Sequence, residues 1–230
     1  MLLRRQFVHR IVFFCAGGML AGRNARGDDL LLTPTQTRGP FYPIPAIEKQ
    51  EDFDVDLTRK KADSPIAVGE VIAIRGNVVD ISGEILSGVT VEVWQACASG
   101  RYNHPNDKGD SPLDPHFQYW GRMQTGQDGS FSFKTIQPGK YPGRTPHIHF
   151  RVVAPKRTIL ETQLYFALNE EQNIKDGIYN SATPKQRKAV TTALESHAVN
   201  PSDKSSTKIP TGNFQVVLGP KKDSSSTPGM

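Results

Sequence analysis

Apolar residues recur at every second position in several short stretches of this chain. In residues 89–94 three valines alternate with threonine, glutamate and tryptophan, and in residues 130–134 two phenylalanines alternate with serine and lysine. A period of two is typical of a β-strand with one buried face. With enrichment in β-branched and aromatic residues as a second criterion, strands are predicted at residues 71–80, 89–94, 130–134, 147–153, 162–167 and 214–218.

Glycine- and proline-containing turns separate these stretches, and only one helix is predicted. Thr183 suits the N-cap and Pro184 the first helical position of a helix that continues to about His197. Residues 98–123 contain three prolines and no clear period, so we expect a long functional loop there. Many short strands with one late helix predict an all-β fold, a β-sandwich with long loops.

The same reading divides the chain into four parts. Residues 1–27 combine a basic start, a short apolar run and small residues, which is typical of an export signal. Residues 28–69 are rich in proline and predict an extended arm. Residues 70–219 contain every predicted strand and form the expected catalytic domain. Residues 220–230 are rich in serine and lysine and predict a disordered tail.

The net charge of +5 has a local origin. Five arginines precede Asp28, the first acidic residue, and they account for the whole basic excess. The remaining chain is balanced, so its charge does not indicate a nucleic-acid partner. The apolar run at residues 11–20 is too short to span a bilayer, so no stable membrane span is expected after processing. Arg4 and Arg5 resemble a twin-arginine signal, which predicts export to the periplasm; a spurious signal would leave the protein in the cytoplasm.

Two histidines stand two residues apart in the predicted strand at residues 147–153. Alternation places His147 and His149 on one face of this strand and Ile148 and Phe150 on the other. A His-x-His pair also arises by chance, so the pair alone is weak support for a metal site. Tyr102 and Tyr141 lie in turn-rich segments, and a phenolate oxygen with two imidazoles favours ferric iron.

Five segments, in the same order along the chain, resemble the intradiol ring-cleavage dioxygenases, which include protocatechuate and catechol dioxygenases. They are residues 35–42 (TQTRGPFY), 93–96 with 100–102 (VWQA, GRY), 121–123 with 128–129 (GRM, DG), 141–150 (YPGRTPHIHF) and 162–166 (TQLYF). The resemblance implies a prealbumin-like β-sandwich that cleaves a small aromatic diol with O2 between its two hydroxylated carbons. The product would be a muconate-type diacid.

The resemblance also implies roles for individual residues. It implies one non-haem Fe(III) per chain, held by Tyr102, Tyr141, His147 and His149. Arg144 would stabilise negative charge on the substrate, and Tyr141 would accept a proton as the diol enters. Gly39, Pro40, Trp94 and Gln163 would contact the substrate. His104, His116 and His197 match no ligand position. The sequence is compatible with a homo-oligomer.

This sequence departs from the protocatechuate dioxygenases beside the expected site. Only Pro142 and Gly143 separate Tyr141 from Arg144, where those enzymes carry a longer insertion with a tryptophan that packs on the ring. We therefore expect a more open pocket, or one filled by Tyr119 or Trp120. Two other classes stay open: a non-catalytic prealbumin-like binding module without metal, and a cupin-like Fe(II) oxygenase. The second needs a carboxylate soon after the histidine pair, and none occurs before Glu161.

The N-terminal segment gives a testable prediction about export. Replacing Arg4 and Arg5 with lysine should trap a twin-arginine substrate in the cytoplasm, because that pathway reads the arginine pair. Cell fractionation followed by immunoblotting measures the distribution. Unchanged export of the variant would contradict the twin-arginine prediction and leave the general secretory route or no export.

Overall fold

A computed structural model describes residues 30–44, 54–61, 63–155, 157, 159–196 and 209–220. The described chain forms nine strands in two mixed sheets. The predicted export signal at residues 1–27 and almost all of the predicted tail at residues 220–230 lie outside the described residues. Within the described part, no helix is long and apolar enough to cross a membrane.

The strands are arranged as two sheets of different size. One sheet has the order β4-β1-β9-β8 and the other β3-β2-β5-β6-β7, with β1–β9 and β6–β7 paired in parallel. The strand bounds are β1 Val71–Asp80, β2 Thr90–Trp94, β3 Trp120–Gln124, β4 Ser130–Ile136, β5 His147–Val153, β6 Leu160–Phe166, β7 Thr191–Thr192, β8 Glu195–Ser196 and β9 Pro210–Leu218. The all-β prediction is therefore confirmed.

The hydrophobic core lies between the two sheets. Phe150 of β5 packs against Phe214 of β9, with ring centroids 5.0 Å apart, and against Phe131 of β4 at 6.0 Å. Ile148 and Val152 of β5 are buried in the same cluster. The alternate residues of β5 therefore face the opposite side of their sheet, as the period of two requires. This opposite side, called the outer face below, carries the two histidines.

The N-terminal arm covers part of the outer face. The Gln36 N–H donates to the Glu161 carbonyl at 2.8 Å, which attaches the arm to β6. Further along, the Tyr42 hydroxyl donates to Glu92 of β2 at 2.8 Å, and the Tyr42 ring packs edge-on against Trp94 at 4.9 Å. The part of the predicted arm at residues 45–53 lies outside the described residues. The described residues of the arm contain an isolated β-bridge at Asp56 and no helix or strand.

The helical prediction is partly wrong. Thr183 and Gln186 form a capping box, with Pro184 in the first turn, but the helix α3 ends at Ala189. Val190 is buried in the core, and the following threonines join β6 as β7, so β-branched residues and sheet pairing end the helix early. His197 lies outside the described residues. Two further short helices precede α3: α1 at Glu170–Asn173 and α2 at Gly177–Ser181.

The predicted loop at residues 98–123 is too long at its C-terminal end. Residues Trp120–Gln124 form β3 and pair antiparallel with β2. The prolines that mark the loop all precede this strand. Tyr102 remains in the irregular part, at the side of the sandwich where the outer face of β5 and the arm meet.

Candidate metal centre

His147 and His149 lie buried on the outer face with their Nε2 atoms 3.1 Å apart. The His147 Nδ1–H donates to the Thr145 carbonyl at 2.7 Å, so the neutral ring presents a lone pair at Nε2. A hydrogen atom or a cation must lie between two ring nitrogens at this distance, because two facing lone pairs would repel. Two imidazoles that bind one metal at about 2.1 Å and at right angles have nitrogens about 3 Å apart, so the observed separation fits shared coordination.

Neighbouring strands fix the His149 ring. Trp94, which is opposite His149 in the β2–β5 register, stacks on its ring with centroids 4.7 Å apart and planes inclined by 6°. Gly39 of the N-terminal arm also contacts this ring: a Cβ at position 39 would lie 3.4 Å from His149 Cε1. Gly39 has a φ of 70°, a conformation that glycine adopts without strain. Trp94, which the family resemblance predicts to contact the substrate, thus lies against a predicted ligand.

Two tyrosines from separate loops complete the cluster. The Tyr141 hydroxyl lies 3.5 Å from His147 Nε2, and the ring centroids of Tyr102 and His149 are 6.3 Å apart. The tyrosine rings are edge-on to one another at 5.7 Å. Their loops pack backbone against backbone: a Cβ at Gly100 would lie 2.1 Å from the Lys140 carbonyl oxygen, so only glycine fits. The structure therefore brings together all four predicted ligand residues.

The Tyr102 hydroxyl is a buried oxygen donor in this cluster. It is buried, and within the described part of the chain it has no hydrogen-bond partner. Leaving a buried hydroxyl unpaired costs about 1–3 kcal/mol, and burial also raises the pKa of this phenol well above its ordinary value. A bound cation would pair with the oxygen and lower that pKa. An unpaired phenol beside two facing imidazole nitrogens is therefore a donor set that fits a metal ion.

Carboxylates and thiols do not form such a site here. In the described ranges, no group of three or more His, Cys, Asp and Glu side chains is arranged to hold a metal ion. This argues against a cupin-like site, which needs a carboxylate ligand beside the histidines. His104 and His116 are half-buried in the loop, and neither is among the contacts of the histidine pair. Any metal in this cluster would depend on tyrosine oxygen.

Burial keeps both histidines neutral. Burial, together with the nearby Arg144 cation, lowers the pKa of His147 to about 3. Burial, followed by the neighbouring His147 and Arg144, places the pKa of His149 well below its ordinary value. A neutral imidazole has a lone pair available for a metal, whereas an imidazolium has none. The site is thus arranged for coordination rather than for carrying positive charge on its histidines.

Arg144 connects the tyrosine at the opening to the sheet. Its Nη1 donates to the Tyr141 hydroxyl at 3.3 Å and its Nη2 donates to Gln163 Oε1. Gln163 is fully buried, and its Nε2 donates to the Thr37 carbonyl of the arm at 2.9 Å. Gln163 therefore orients Arg144 and holds the arm. Gln163, which is predicted to contact the substrate, contacts the Arg144 guanidinium.

Asp176 is a functional residue that the sequence reasoning missed. Its Oδ2 accepts a hydrogen bond from Arg144 Nε at 2.8 Å and another from the Thr145 N–H at 3.0 Å. Burial opposes ionisation of Asp176, but these hydrogen bonds outweigh it and hold the pKa of this carboxyl below its ordinary value. Aspartate is a preferred N-cap residue, and this preference was the only signal in the sequence that pointed to Asp176.

The cluster opens to solvent beside Gly143. A Cβ at Gly143 would meet nothing within 4 Å. Two cavities of about 560 and 780 Å³ adjoin here, and both are lined by Lys140, Tyr141, Pro142 and Arg144. Pro40 and Gly39 line the larger one.

Phe41 is the aromatic ring that the structure places beside the tyrosines. It stacks on Tyr102 with centroids 4.6 Å apart and lies edge-on to Tyr141 at 6.0 Å. Of the two candidates from the sequence, Tyr119 is buried in the main core, where its hydroxyl donates to the Asp114 carbonyl. Trp120 is buried in the cluster that contains Trp94 and Tyr102. Neither residue lines the two cavities beside Arg144.

Comparison with known proteins assigns this arrangement to a family. A family model described as "Dioxygenase" matches residues 39–219. The chain is 39% identical over 137 residues to the protocatechuate 3,4-dioxygenase beta chain of Burkholderia cepacia, covering 56% of this chain and 58% of that one. It is 32% identical over 113 residues to the chlorocatechol 1,2-dioxygenase of Cupriavidus pinatubonensis, covering 41% of this chain and 42% of that one. The chain thus spans about half the length of these curated relatives.

A solved structure agrees. The dioxygenase domain of a dioxygenase and carbohydrate-binding protein fusion from Streptomyces sp. SirexAA-E superimposes with a TM-score of 0.59 at 30% identity. The match covers 82% of this chain and 98% of that one. The fold and site define a dioxygenase-type β-sandwich. More particularly, the chain belongs to the intradiol ring-cleavage dioxygenase family.

The positive φ of Gly39 gives a stability prediction. Replacing Gly39 with alanine should lower the free energy of unfolding by about 1 kcal/mol, because an L-residue is strained at positive φ. Urea denaturation measures this change. Gly177→Ala is a matched control, since its added Cβ meets nothing within 4 Å and its φ is not positive. Equal unfolding free energies for the two variants would contradict backbone strain at position 39.

Proposed function

We propose that this protein is an Fe(III)-dependent intradiol dioxygenase that cleaves a catechol-type diol between its two hydroxylated carbons. The supporting observation is the convergence of Tyr102, Tyr141, His147 and His149, with two facing Nε2 atoms and an unpaired buried phenol. Tyrosine oxygen is a hard anionic donor suited to a highly charged ion. The names of the related proteins, which include protocatechuate and chlorocatechol dioxygenases, support the same reaction class.

The proposed reaction balances without an external reductant. One diol and one O2 give one diacid: the bond between the hydroxylated carbons breaks, and each of these carbons gains one oxygen atom. Ferric iron bound by the four residues, one ion per chain, would supply Lewis-acid activation of the diol. The protein supplies the binding surface, the proton acceptor and the charge that stabilises the anionic substrate.

Tyr141 is the residue placed to accept a proton from the entering diol. Its side chain is half-buried and lines the cavity, whereas Tyr102 is fully buried behind Phe41. Burial raises the pKa of Tyr141, and the neighbouring Arg144 opposes that increase. A phenolate oxygen at this position would be a competent base for a diol hydroxyl.

Arg144 is the residue placed to stabilise the anionic substrate. It is the cation nearest to Tyr141, its guanidinium is largely shielded from water, and Nη1 and Nη2 point toward the cluster. A fixed positive charge has most effect where water is excluded, because the local dielectric constant is low. The arm contributes to this exclusion by covering His149 with Gly39.

The non-catalytic alternative explains less. A prealbumin-like binding module would have no reason to bury two neutral imidazoles, an unpaired phenol and a compensated arginine in one cluster. Each of these groups costs free energy to bury. Such costs concentrate where a protein performs chemistry.

Removing a histidine should release the iron. In His147→Ala and His149→Ala, iron content should fall well below one per chain, and the visible absorption of phenolate bound to ferric iron should disappear. Elemental analysis and visible spectroscopy measure the two effects. His116→Ala is the matched control, since it removes a loop histidine away from the pair. Full iron content in both strand variants, or a colourless iron-loaded wild type, would overturn the proposed centre.

The open cavity should give shallow discrimination among diols. Contacts worth one methylene or one stacking face decide only about 1–3 kcal/mol, and Gly143 provides no side chain for them. We expect turnover of catechol, hydroxyquinol and a chlorinated catechol, always with cleavage between the hydroxylated carbons. Mass and ultraviolet spectra identify the products. Activity on protocatechuate alone would contradict the open pocket, and 2-hydroxymuconic semialdehyde would contradict intradiol cleavage.

A further inference from the structure

The carboxylate of Asp176 is the most heavily bonded buried group beside the metal centre. It accepts four hydrogen bonds, and its side chain is 0% exposed. The two oxygens have different partners. Oδ1 accepts from the N–H groups of Ile178 and Tyr179, which caps helix α2. Oδ2 accepts from Arg144 Nε and from the Thr145 N–H.

We propose that Asp176 is the positioning residue for Arg144: it holds the guanidinium by Nε so that Nη1 faces the Tyr141 hydroxyl and the diol. This inference rests on the proposed function. Asp176 itself acts through Arg144, because its Oδ2 accepts from Nε whereas Nη1 donates to the Tyr141 hydroxyl. The pairing therefore fixes the direction of the charge, with Nη2 held by Gln163.

A buried arginine beside this cluster requires such a partner. Arg144 has only 13% of its side chain exposed, and the Asp176 side chain that it contacts is fully buried. An uncompensated cation in this position would lose hydration and favour a conformation directed to solvent. A carboxylate at Nε compensates the charge, and Gln163 fixes Nη2. Three partners around one planar group leave a single orientation, which is what stabilisation of a developing anion requires.

The same oxygen also supports the backbone that leads to the histidines. Oδ2 accepts from the Thr145 N–H, and the Thr145 carbonyl accepts from His147 Nδ1. The Thr145 hydroxyl in turn donates to Asn173 at 2.7 Å, on the segment that leads to Asp176. Helix α2 and its preceding turn therefore attach to Arg144 and Thr145, in the segment that leads into β5. Partners of this kind behind a metal site typically change activity by about 10–100-fold when they are removed.

A simpler reading is that Asp176 only caps a short helix, and the separate roles of its oxygens allow a test. Asp176→Ser retains an effective N-cap residue but removes the carboxylate from Arg144 and Thr145. Thr183→Ala is the matched control, because it removes the N-cap of helix α3 and has no contact with Arg144. Iron content and denaturation midpoint are measured for each protein, so that a loss of folding is not read as a loss of orientation.

We expect D176S to retain iron and to lower kcat for catechol by about 10–100-fold, with a much smaller change in KM. R144Q should lower kcat by about 100–1000-fold. The double variant R144Q/D176S should be no slower than R144Q alone, since the carboxylate acts only through the guanidinium. Denaturation midpoints should be non-additive for the same pair. T183A should lose stability and keep its kcat.

Three results would overturn the positioning role. They are an unchanged kcat in D176S, kcat losses that multiply in the double variant, and a kcat loss in T183A as large as that in D176S. Absence of catechol cleavage by the iron-loaded wild type would overturn the proposed function and this inference together. Cleavage by the wild type with any of the three results would overturn only the positioning role.

Discussion

The alternation of side chains along strand β5 is the constraint on which the site depends. Ile148, Phe150 and Val152 must enter the core between the sheets, so His147 and His149 must face the other way. On most two-sheet sandwiches that outer face is solvated. Here the arm covers part of it, and the histidines are as buried as Ile148 between them. A one-residue slip of this strand would exchange the two faces and destroy both the core and the histidine pair.

Burial of the outer face is costly, and compensated charges make it tolerable. Burial removes protons from the imidazoles, which leaves lone pairs at Nε2. Two cations beside this face are paired with carboxylates: Arg144 with Asp176, and Arg151 with Glu92 at 3.2 Å. A buried pair contributes little net stability, but removing one partner leaves a charge that is expensive to bury. These ion pairs therefore fix the positions of the charged groups and contribute little to the free energy of unfolding.

Local patterning predicted the parts of the structure that depend on local sequence. The strand at residues 147–153 and its parity follow from apolar residues at every second position, and the start of helix α3 follows from Thr183 and Pro184. The meeting of Tyr102 with Tyr141 does not follow from spacing, because it depends on two loops whose contact is long-range; resemblance supplied it. Asp176 is 32 residues from Arg144 in sequence, and its N-cap signal gave no indication of that partner. The early end of α3 also depends on a long-range contact, because pairing of β7 with β6 overrides the helical pattern.

The candidate ligand histidines lie on strands, whereas the residues that border the opening lie in loops. The imidazole donors and Gln163 lie on paired strands with buried neighbours, so their geometry changes little when the surface changes. The residues that border the opening, including Pro40, Lys140 and Gly143, lie in turns with few side-chain contacts. Substitutions there can change the opening without moving the Nε2 atoms. Tyr141 and Arg144 belong to both groups: they lie in a turn, but hydrogen bonds to Asp176 and Gln163 connect Arg144 to the rigid part. A cation in a loop is thereby held by three hydrogen-bond partners beside a pair of histidines on a strand.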